Sequence, residues 1–174
     1  ENIAYFETGN VKTILCAVPE EGDIHEDEAA EAISSAIDKN HIYADKASTG
    51  RVNFKSQSLC LVRYDRDFIK EVNLVDESIA FSIVEHNQLL AEGDLIATLK
   101  IIPFFMKKKY VDRVIKIIAK DELFKIHSLK KKEVVLIQTC FEWQKKSIFT
   151  ATSSVTKARL EALGCLLNKV KLIN

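Results

Sequence analysis

Five residues in two short segments have side chains or backbone that suit an anion-binding site: Thr49, Gly50, Arg51, Asn53 and Lys100. The guanidinium of Arg51 could clamp a phosphate or carboxylate with two parallel hydrogen bonds, and Gly50 would let a backbone N–H approach a ligand closely. Lys100 lies within the apolar run 95–102, where a lysine is rarely buried without a partner. We therefore expect Lys100 either to reach the surface along its strand or to meet an anion, with Thr49-Gly50-Arg51 as its neighbour.

The same residues also permit a structural interpretation. Gly50 would make a turn, Asn53 would bond to backbone groups, and Arg51 would pair with Asp76 or Glu77. The sequence leaves the two interpretations open.

Other chemical motifs are missing from the sequence. It contains no G-x-G-x-x-G, G-x-x-x-x-G-K-[ST], H-E-x-x-H or G-x-S-x-G pattern, and it has only 5 glycines. The consecutive acids 26–28 point in different directions on a helix, so we expect them to stabilise its N-terminus rather than to bind a metal. The four histidines are predicted to be surface residues: His25, His41, His86 and His127. A Cys–His catalytic pair stays open, because such partners need only meet in space.

Composition restricts the class of protein. The 174 residues are 47% hydrophobic and 29% charged with zero net charge, which argues against a nucleic-acid binder and against disorder. The sequence has no long uncharged apolar stretch, so it predicts no membrane span. Its first residues also lack the features of a secretory signal. The four cysteines have no close spacing, so we expect reduced thiols packed as small hydrophobes in a cytoplasmic protein.

Charge is distributed unevenly along the chain. Residues 20–31 contain seven acids and no lysine or arginine, whereas residues 107–132 contain ten basic residues against three acids. The two charged blocks are consistent with solvent-exposed surfaces. They are also consistent with contact between the blocks, within the fold or across a dimer. The basic block would also suit a phosphorylated ligand.

Hydrophobic periodicity predicts an α+β protein. We expect a front domain over residues 1–128, with a small antiparallel sheet or a partly closed β-barrel and flanking helices. Residues 129–174 are predicted to form the first β-α-β unit of an α/β domain. The predicted strands are 11–18, 51–55, 58–64, 68–73, 79–84, 95–102, 124–127, 133–140 and 170–173. The runs 95–102 and 133–140 are expected to be covered on both faces.

Three helices are predicted from the 3.6-residue period. The first begins after Asp23 as its N-cap, with Ala29, Ala30 and Ile33 on its inner stripe. The second spans 106–122. The third spans 153–163, with Val155, Leu160 and Leu163 inward and Gly164 just after its end.

Several signatures occur in an order that resembles bacterial molybdopterin-binding proteins, specifically their N-terminal half. The signatures are the segments 22–30 (GDIHEDEAA), 49–54 (TGRVNF), 73–79 (NLVDESI), 100–104 (KIIPF) and 136–139 (LIQT), followed by Arg159-Leu160. The resemblance covers most of the chain.

The resemblance implies a molybdenum-cofactor-biosynthesis-type α/β domain that starts near Glu133. That domain holds molybdopterin or a related pterin phosphate in the family. Its relatives carry a Lys-Thr pair where this sequence has Ala151-Thr152, and the glycine-rich phosphate loop lies beyond residue 174. We therefore expect no cofactor bound by this chain alone.

Two functional hypotheses follow. The first is a non-catalytic module in or near molybdenum-cofactor biosynthesis, with cofactor-assembly proteins as partners. The second is a protein–protein interaction or dimerisation module, such as a homodimer, without a small-molecule ligand. An enzyme would require a cleft that gathers Arg51, Lys100 and carboxylates with strongly shifted pKa values.

Overall fold

The computed structural model describes residue 13 and residues 16–120 and 122–173, which contain four helices and eleven strands. The helices are α1 (Glu26–Ala36), α2 (Arg66–Asn73), α3 (Lys108–Ile118) and α4 (Lys146–Ala162). The strands are β1 (Asp23–His25), β2 (Ile42–Ala44), β3 (Arg51–Ser56), β4 (Cys60–Arg63), β5 (Ile79–Ile83), β6 (Leu89–Leu90), β7 (Leu95–Ile101), β8 (Phe105–Lys107), β9 (Lys125–Ser128), β10 (Glu133–Thr139) and β11 (Leu166–Ile173). This mixture confirms the α+β class, and the described strands form no closed barrel.

Only part of the predicted strand 11–18 lies within the described residues. Val11, Lys12, Ile14 and Leu15 lie outside the described residues, and residues 16–18 have no regular structure.

The central sheet is antiparallel with the strand order β2-β3-β7-β5. Side chains alternate between its faces, so Ala97, Leu99 and Ile101 of β7 enter the core. Thr98 and Lys100 point to the other face and are half-buried. The prediction that both faces of this strand are buried is therefore right for one face and only partly right for the other.

A second antiparallel sheet, β6-β4-β9, and three helices close the front core. Helix α1 buries Ala29, Ala30 and Ile33 as the stripe predicts. Phe54, Phe81 and Phe124 meet at the centre, with ring centroids 6.1 to 6.3 Å apart. The front part of the chain thus has a continuous apolar core of its own.

Two local predictions in this region are wrong. Residues 68–73 form helix α2 rather than a strand, because Asp65 caps it and Phe68, Ile69 and Val72 recur at helical spacing. Helix α1 begins at Glu26 rather than after Asp23. Its N-cap is His25, whose Nδ1 accepts the Asp27 N–H at 3.2 Å.

Residues 133–173 form a β10-α4-β11 unit in which the two strands are parallel. Helix α4 begins at Lys146, earlier than predicted, and Gly164 follows its end with φ +71° as expected. Val155 and Leu163 are 49% and 43% exposed, so their predicted inward positions are wrong. Among the described residues from 129 onwards only Gln138 is buried.

Candidate functional site

Lys100 lies at the junction between the central sheet and the start of α1. Its Nζ is 3.4 Å from Oε2 of Glu26, the first residue of the helix, and it also donates a hydrogen bond to the Thr49 carbonyl oxygen. The Glu26 residue is only 6% exposed. A nearly buried carboxylate needs a partner, and Lys100 supplies it. Lys100 thus meets an anion, and that anion belongs to the chain itself.

Gly50 completes the same junction. Thr49 and Gly50 have φ of +49° and +67°, and Ser48 and Arg51 bond to each other across them, which gives the tight turn between paired strands. The Gly50 N–H donates to Asp27 Oδ1 at 2.6 Å. A Cβ on Gly50 would lie 2.6 Å from both Glu26 Oε2 and the Ile101 carbonyl oxygen. The turn therefore has room for glycine alone.

Arg51 and Asn53 lie on the same face of β3, opposite Lys100 and Thr98 of β7. The Asn53 side chain accepts from the Thr98 hydroxyl at 2.9 Å and donates to Asp45 at 3.4 Å, so its predicted bond to backbone is wrong. Arg51 is exposed and makes no ion pair with any residue in the described ranges, so its predicted pairing with Asp76 or Glu77 is wrong too.

Together these contacts fasten the first turn of α1 to the turn that precedes β3 and to strand β7. The groups that were expected to receive an external anion, the Gly50 N–H and the Lys100 ammonium, both donate within the chain. The structure therefore favours a structural role for this cluster. Ligand binding by Thr49, Gly50, Arg51, Asn53 and Lys100 stays a prediction.

Among the described residues, Lys107 joins the basic block to the acidic block. The Nζ atom of Lys107, on β8, lies 2.8 Å from Asp23 Oδ1 and 2.9 Å from Glu20 Oε2. Two hydrogen bonds to the Asp23 carboxylate lower its pKa below 3.8. The larger effect comes from the Lys107 ammonium and the smaller from the Glu20 N–H. The hydrogen bonds that Lys107 donates to the carboxylates of Asp23 and, to a lesser extent, Glu20 raise the pKa of Lys107 above 10.5.

A different surface lies open on the β10-α4-β11 unit. Helix α4 covers one face of the two-stranded sheet, where Gln138 donates to Ser153 Oγ at 2.8 Å and to the Phe149 carbonyl oxygen at 3.3 Å. On the opposite face, Val135, Ile137 and Ile173 are 50%, 57% and 46% exposed. The prediction that this strand is covered on both faces is wrong. We call this face, with Lys169 and Lys171 on β11, the outer face.

Cysteines and carboxylates offer little further chemistry. None of the four cysteines forms a disulfide in the described structure, and burial, with the Asp94 charge, raises the pKa of the Cys60 thiol above its ordinary value. Cys60 packs as a small hydrophobe as predicted, whereas Cys16 is exposed. No group of three or more His, Cys, Asp or Glu side chains within the described ranges is placed to hold a metal ion.

The sequence alone did not identify the outer face. A continuous apolar strand such as 133–140 is typical of a sheet that is covered on both sides. The alternation of lysine with apolar residues along 169–173 was the available signal, because it places Lys169 and Lys171 on one face.

No protein-family model, curated protein or solved structure matches this chain. No helix within the described residues has the length and apolar character needed to cross a membrane.

Proposed function

We propose that this chain is a non-catalytic module, related to molybdopterin-binding proteins, that acts in or near molybdenum-cofactor biosynthesis by docking a protein partner. The ordered motifs support the relationship, and so does the parallel β10-α4-β11 unit, which starts at Glu133 where the resemblance implies an α/β domain. The docking part of the proposal rests on the outer face.

The outer face is the observation that carries the proposal. Parallel strands normally lie in sheets with helices on both faces, and a two-stranded sheet has little stability alone. Here the three apolar side chains of the outer face, Val135, Ile137 and Ile173, are each about half exposed. A contiguous apolar strip of this kind on a parallel sheet is typical of a surface that another element covers.

Charge selects the kind of partner. Lys169 and Lys171 pair in register with Val135 and Ile137, so a row of ammonium groups runs beside the apolar row on the same face. An amphipathic helix fits this pattern if its apolar stripe meets β10 and its carboxylates meet the β11 lysines. We assign the outer face to such a helix in a protein partner.

A pair of designed peptides tests this assignment. Both are amphipathic helices with the same leucine stripe, and one carries glutamates beside the stripe where the other carries lysines. Fluorescence anisotropy should show that the wild-type chain binds the glutamate peptide about tenfold more tightly. The variant K169E/K171E should reverse that preference, because it changes the sign of the charged row and leaves the apolar row intact.

Two results would contradict docking at the outer face. One is an unchanged peptide preference in K169E/K171E. The other is unchanged affinity in Ile137→Asn, which places an amide in the centre of the apolar row. Asn168→Gln provides a matched surface control on the same strand, because Asn168 contacts Glu133 rather than the apolar row. Light scattering that showed a concentration-dependent dimer lost in Ile137→Asn would assign the face to a second copy instead.

The family relationship needs a separate test. Molybdopterin or a related pterin phosphate should leave the Tm of this chain unchanged, because Ala151-Thr152 stands where the resemblance implies a Lys-Thr pair. The same ligand should raise the Tm of a polypeptide that carries the family's complete α/β domain. A clear Tm increase for the present chain would overturn the proposal that it binds no cofactor alone.

A further inference from the structure

Helix α3 carries a row of exposed cations that the fold leaves open. Lys109, Arg113 and Lys116 follow one another at helical spacing and are all exposed, so they lie on one side of the helix, and we call them the basic stripe. Arg113 and Lys116 form no ion pair with any residue that the structure describes. Lys109 lies over the ring of Tyr110, with its Nζ 4.9 Å from the centroid. The basic stripe can therefore receive an anionic surface from outside the molecule.

A groove of about 670 Å³ runs along helix α1, and we call it the α1 groove. Within the described residues its wall carries three acids and one base: Asp27, Glu28, Glu31 and Lys46. Asp27 already accepts the Gly50 N–H at 2.6 Å, whereas Glu28 and Glu31 are exposed and pair with no cation in the described ranges. The α1 groove therefore keeps an excess of negative charge.

Small side chains form the rest of the described wall of the α1 groove: Ala32, Ser35 and Ala47. Lysine and arginine bury their aliphatic stems on such a surface while their charged ends reach nearby carboxylates. The wall is thus complementary to a basic helix in charge and in polarity.

The two charged surfaces belong to helices that are related by an approximate two-fold axis. Strands β1 and β8 are antiparallel, with Ile24 opposite Met106, and each leads directly into a helix of 11 residues. These helices, α1 and α3, pack against each other. A two-fold rotation of a second copy can therefore place its basic stripe on the α1 groove of the first copy, and the reverse contact follows from the same rotation.

We propose that the α1 groove receives the basic stripe of a second copy of this chain, which gives a symmetric dimer. Arg113 and Lys116 of each copy meet Glu28 and Glu31 of the other. The chain has zero net charge, so no long-range repulsion opposes the approach of two copies. The proposal does not depend on the proposed function, because it uses neither the outer face nor helix α4.

Sedimentation equilibrium measures this dimer directly. The wild-type chain should show a reversible monomer–dimer equilibrium whose Kd rises at least about tenfold between roughly 0.05 M and 0.5 M NaCl, because salt screens exposed charge pairs. Ile137→Asn should dimerise as the wild type does, since it alters the outer face alone. A chain that stays monomeric up to about 1 mM at low salt would overturn the proposal. A Kd that is independent of salt, or loss of the dimer in Ile137→Asn, would also overturn it.

Charge reversal locates the contact. E28K/E31K and R113E/K116E should each dimerise at least about a hundredfold more weakly than the wild type, because two surfaces of like charge then face each other. An equimolar mixture of the two variants should form a heterodimer of nearly wild-type affinity, because every basic surface again meets an acidic one. Wild-type dimerisation of either variant alone, or a mixture that stays monomeric, would refute the assignment. R113E/K116E tests the contact from α3 even if E28K/E31K fails to fold.

E77K/E92K is the matched control for E28K/E31K. It changes the net charge by the same amount, at two exposed glutamates that do not line the α1 groove. This control should dimerise as the wild type does and should not form a heterodimer with R113E/K116E. A heterodimer of those two variants as strong as that formed with E28K/E31K would show that net charge alone drives association, which would overturn the proposal.

Discussion

Lys100 and Glu26 form an ion pair at 3.4 Å that joins the middle of the central sheet to the first residue of α1. Their side chains are 32% and 9% exposed, so the carboxylate is nearly removed from water while the ammonium still reaches it. Because the ammonium also donates to the Thr49 carbonyl oxygen, a single side chain holds the helix start and the hairpin turn together.

Lys100→Met should destabilise the fold by about 2 kcal/mol, because it leaves the Glu26 carboxylate buried without its partner. Urea unfolding followed by circular dichroism measures the change. Adding Glu26→Gln to Lys100→Met should recover part of the loss, since the amide carries no charge.

Lys55→Met is the matched control for that prediction. Lys55, on β3 of the same sheet, pairs with Asp45, but their side chains are 40% and 39% exposed. We expect a loss of less than about 1 kcal/mol there. Equal or higher stability of Lys100→Met than of wild type would show that the lysine is merely a tolerated charge.

Gly50→Ala should cost about 3 kcal/mol, because the new Cβ would lie 2.6 Å from a carboxylate oxygen and from a backbone oxygen. Gly93→Ala should cost only about 1 kcal/mol. Gly93 also has a positive φ, +86°, but has nothing within 4 Å of the added atom. Similar losses for the two variants would mean that backbone conformation alone requires glycine at position 50.

The front elements were predictable where one periodicity dominates. Alternating residues at 51–55 and the apolar run at 95–102 predicted strands close to β3 and β7. The stripe of Ala29, Ala30 and Ile33 predicted α1. The strand predicted for residues 68–73 was wrong because Phe68, Ile69 and Val72 fit a short helix as well as a strand. The Asp65 cap decides between them.

The surfaces were harder to predict than the elements. The α1 groove depends on where residues 46–47 lie, and no local pattern reveals which distant segment packs beside Glu28 and Glu31. The Lys100 junction was recognised as a group of residues, but whether an external anion or Glu26 would neutralise the lysine depended on where the helix begins. His25 rather than Asp23 caps α1, which places Glu26 over the turn.

The Asp23–Lys107 pair should make stability depend on pH at both ends of the scale. The pKa of Asp23 lies below its ordinary 3.8 in the folded chain, so the stabilisation is present above that pH and is lost as pH falls through the folded value. The pKa of Lys107 lies above 10.5, so the stabilisation is also lost as pH rises through its folded value.

Asp23→Asn measures this dependence. The difference in unfolding free energy between wild type and Asp23→Asn should be largest near neutral pH and should shrink toward both extremes. Glu92→Gln is the control, because Glu92 is exposed and makes no ion pair with the rest of the described chain. A difference for Asp23→Asn that stays constant from acid to alkaline pH would contradict the ion-pair explanation.

The front part and the β10-α4-β11 unit should open separately in native-state hydrogen exchange. Of the described residues, 26 hydrophobic ones are buried in the front core, whereas beyond position 128 only Gln138 is buried. Local opening is least costly where few apolar contacts must be broken. Amides of β10 and β11 should therefore exchange at least about a hundredfold faster than those of β3 and β7.

Gln138→Ala should accelerate exchange in α4 and β10 only, because the Gln138 amide bonds the strand to the helix at Ser153 and Phe149. Equal protection of β10 and β7, or acceleration of β7 exchange in Gln138→Ala, would instead make the chain one cooperative unit and contradict a domain boundary near residue 128.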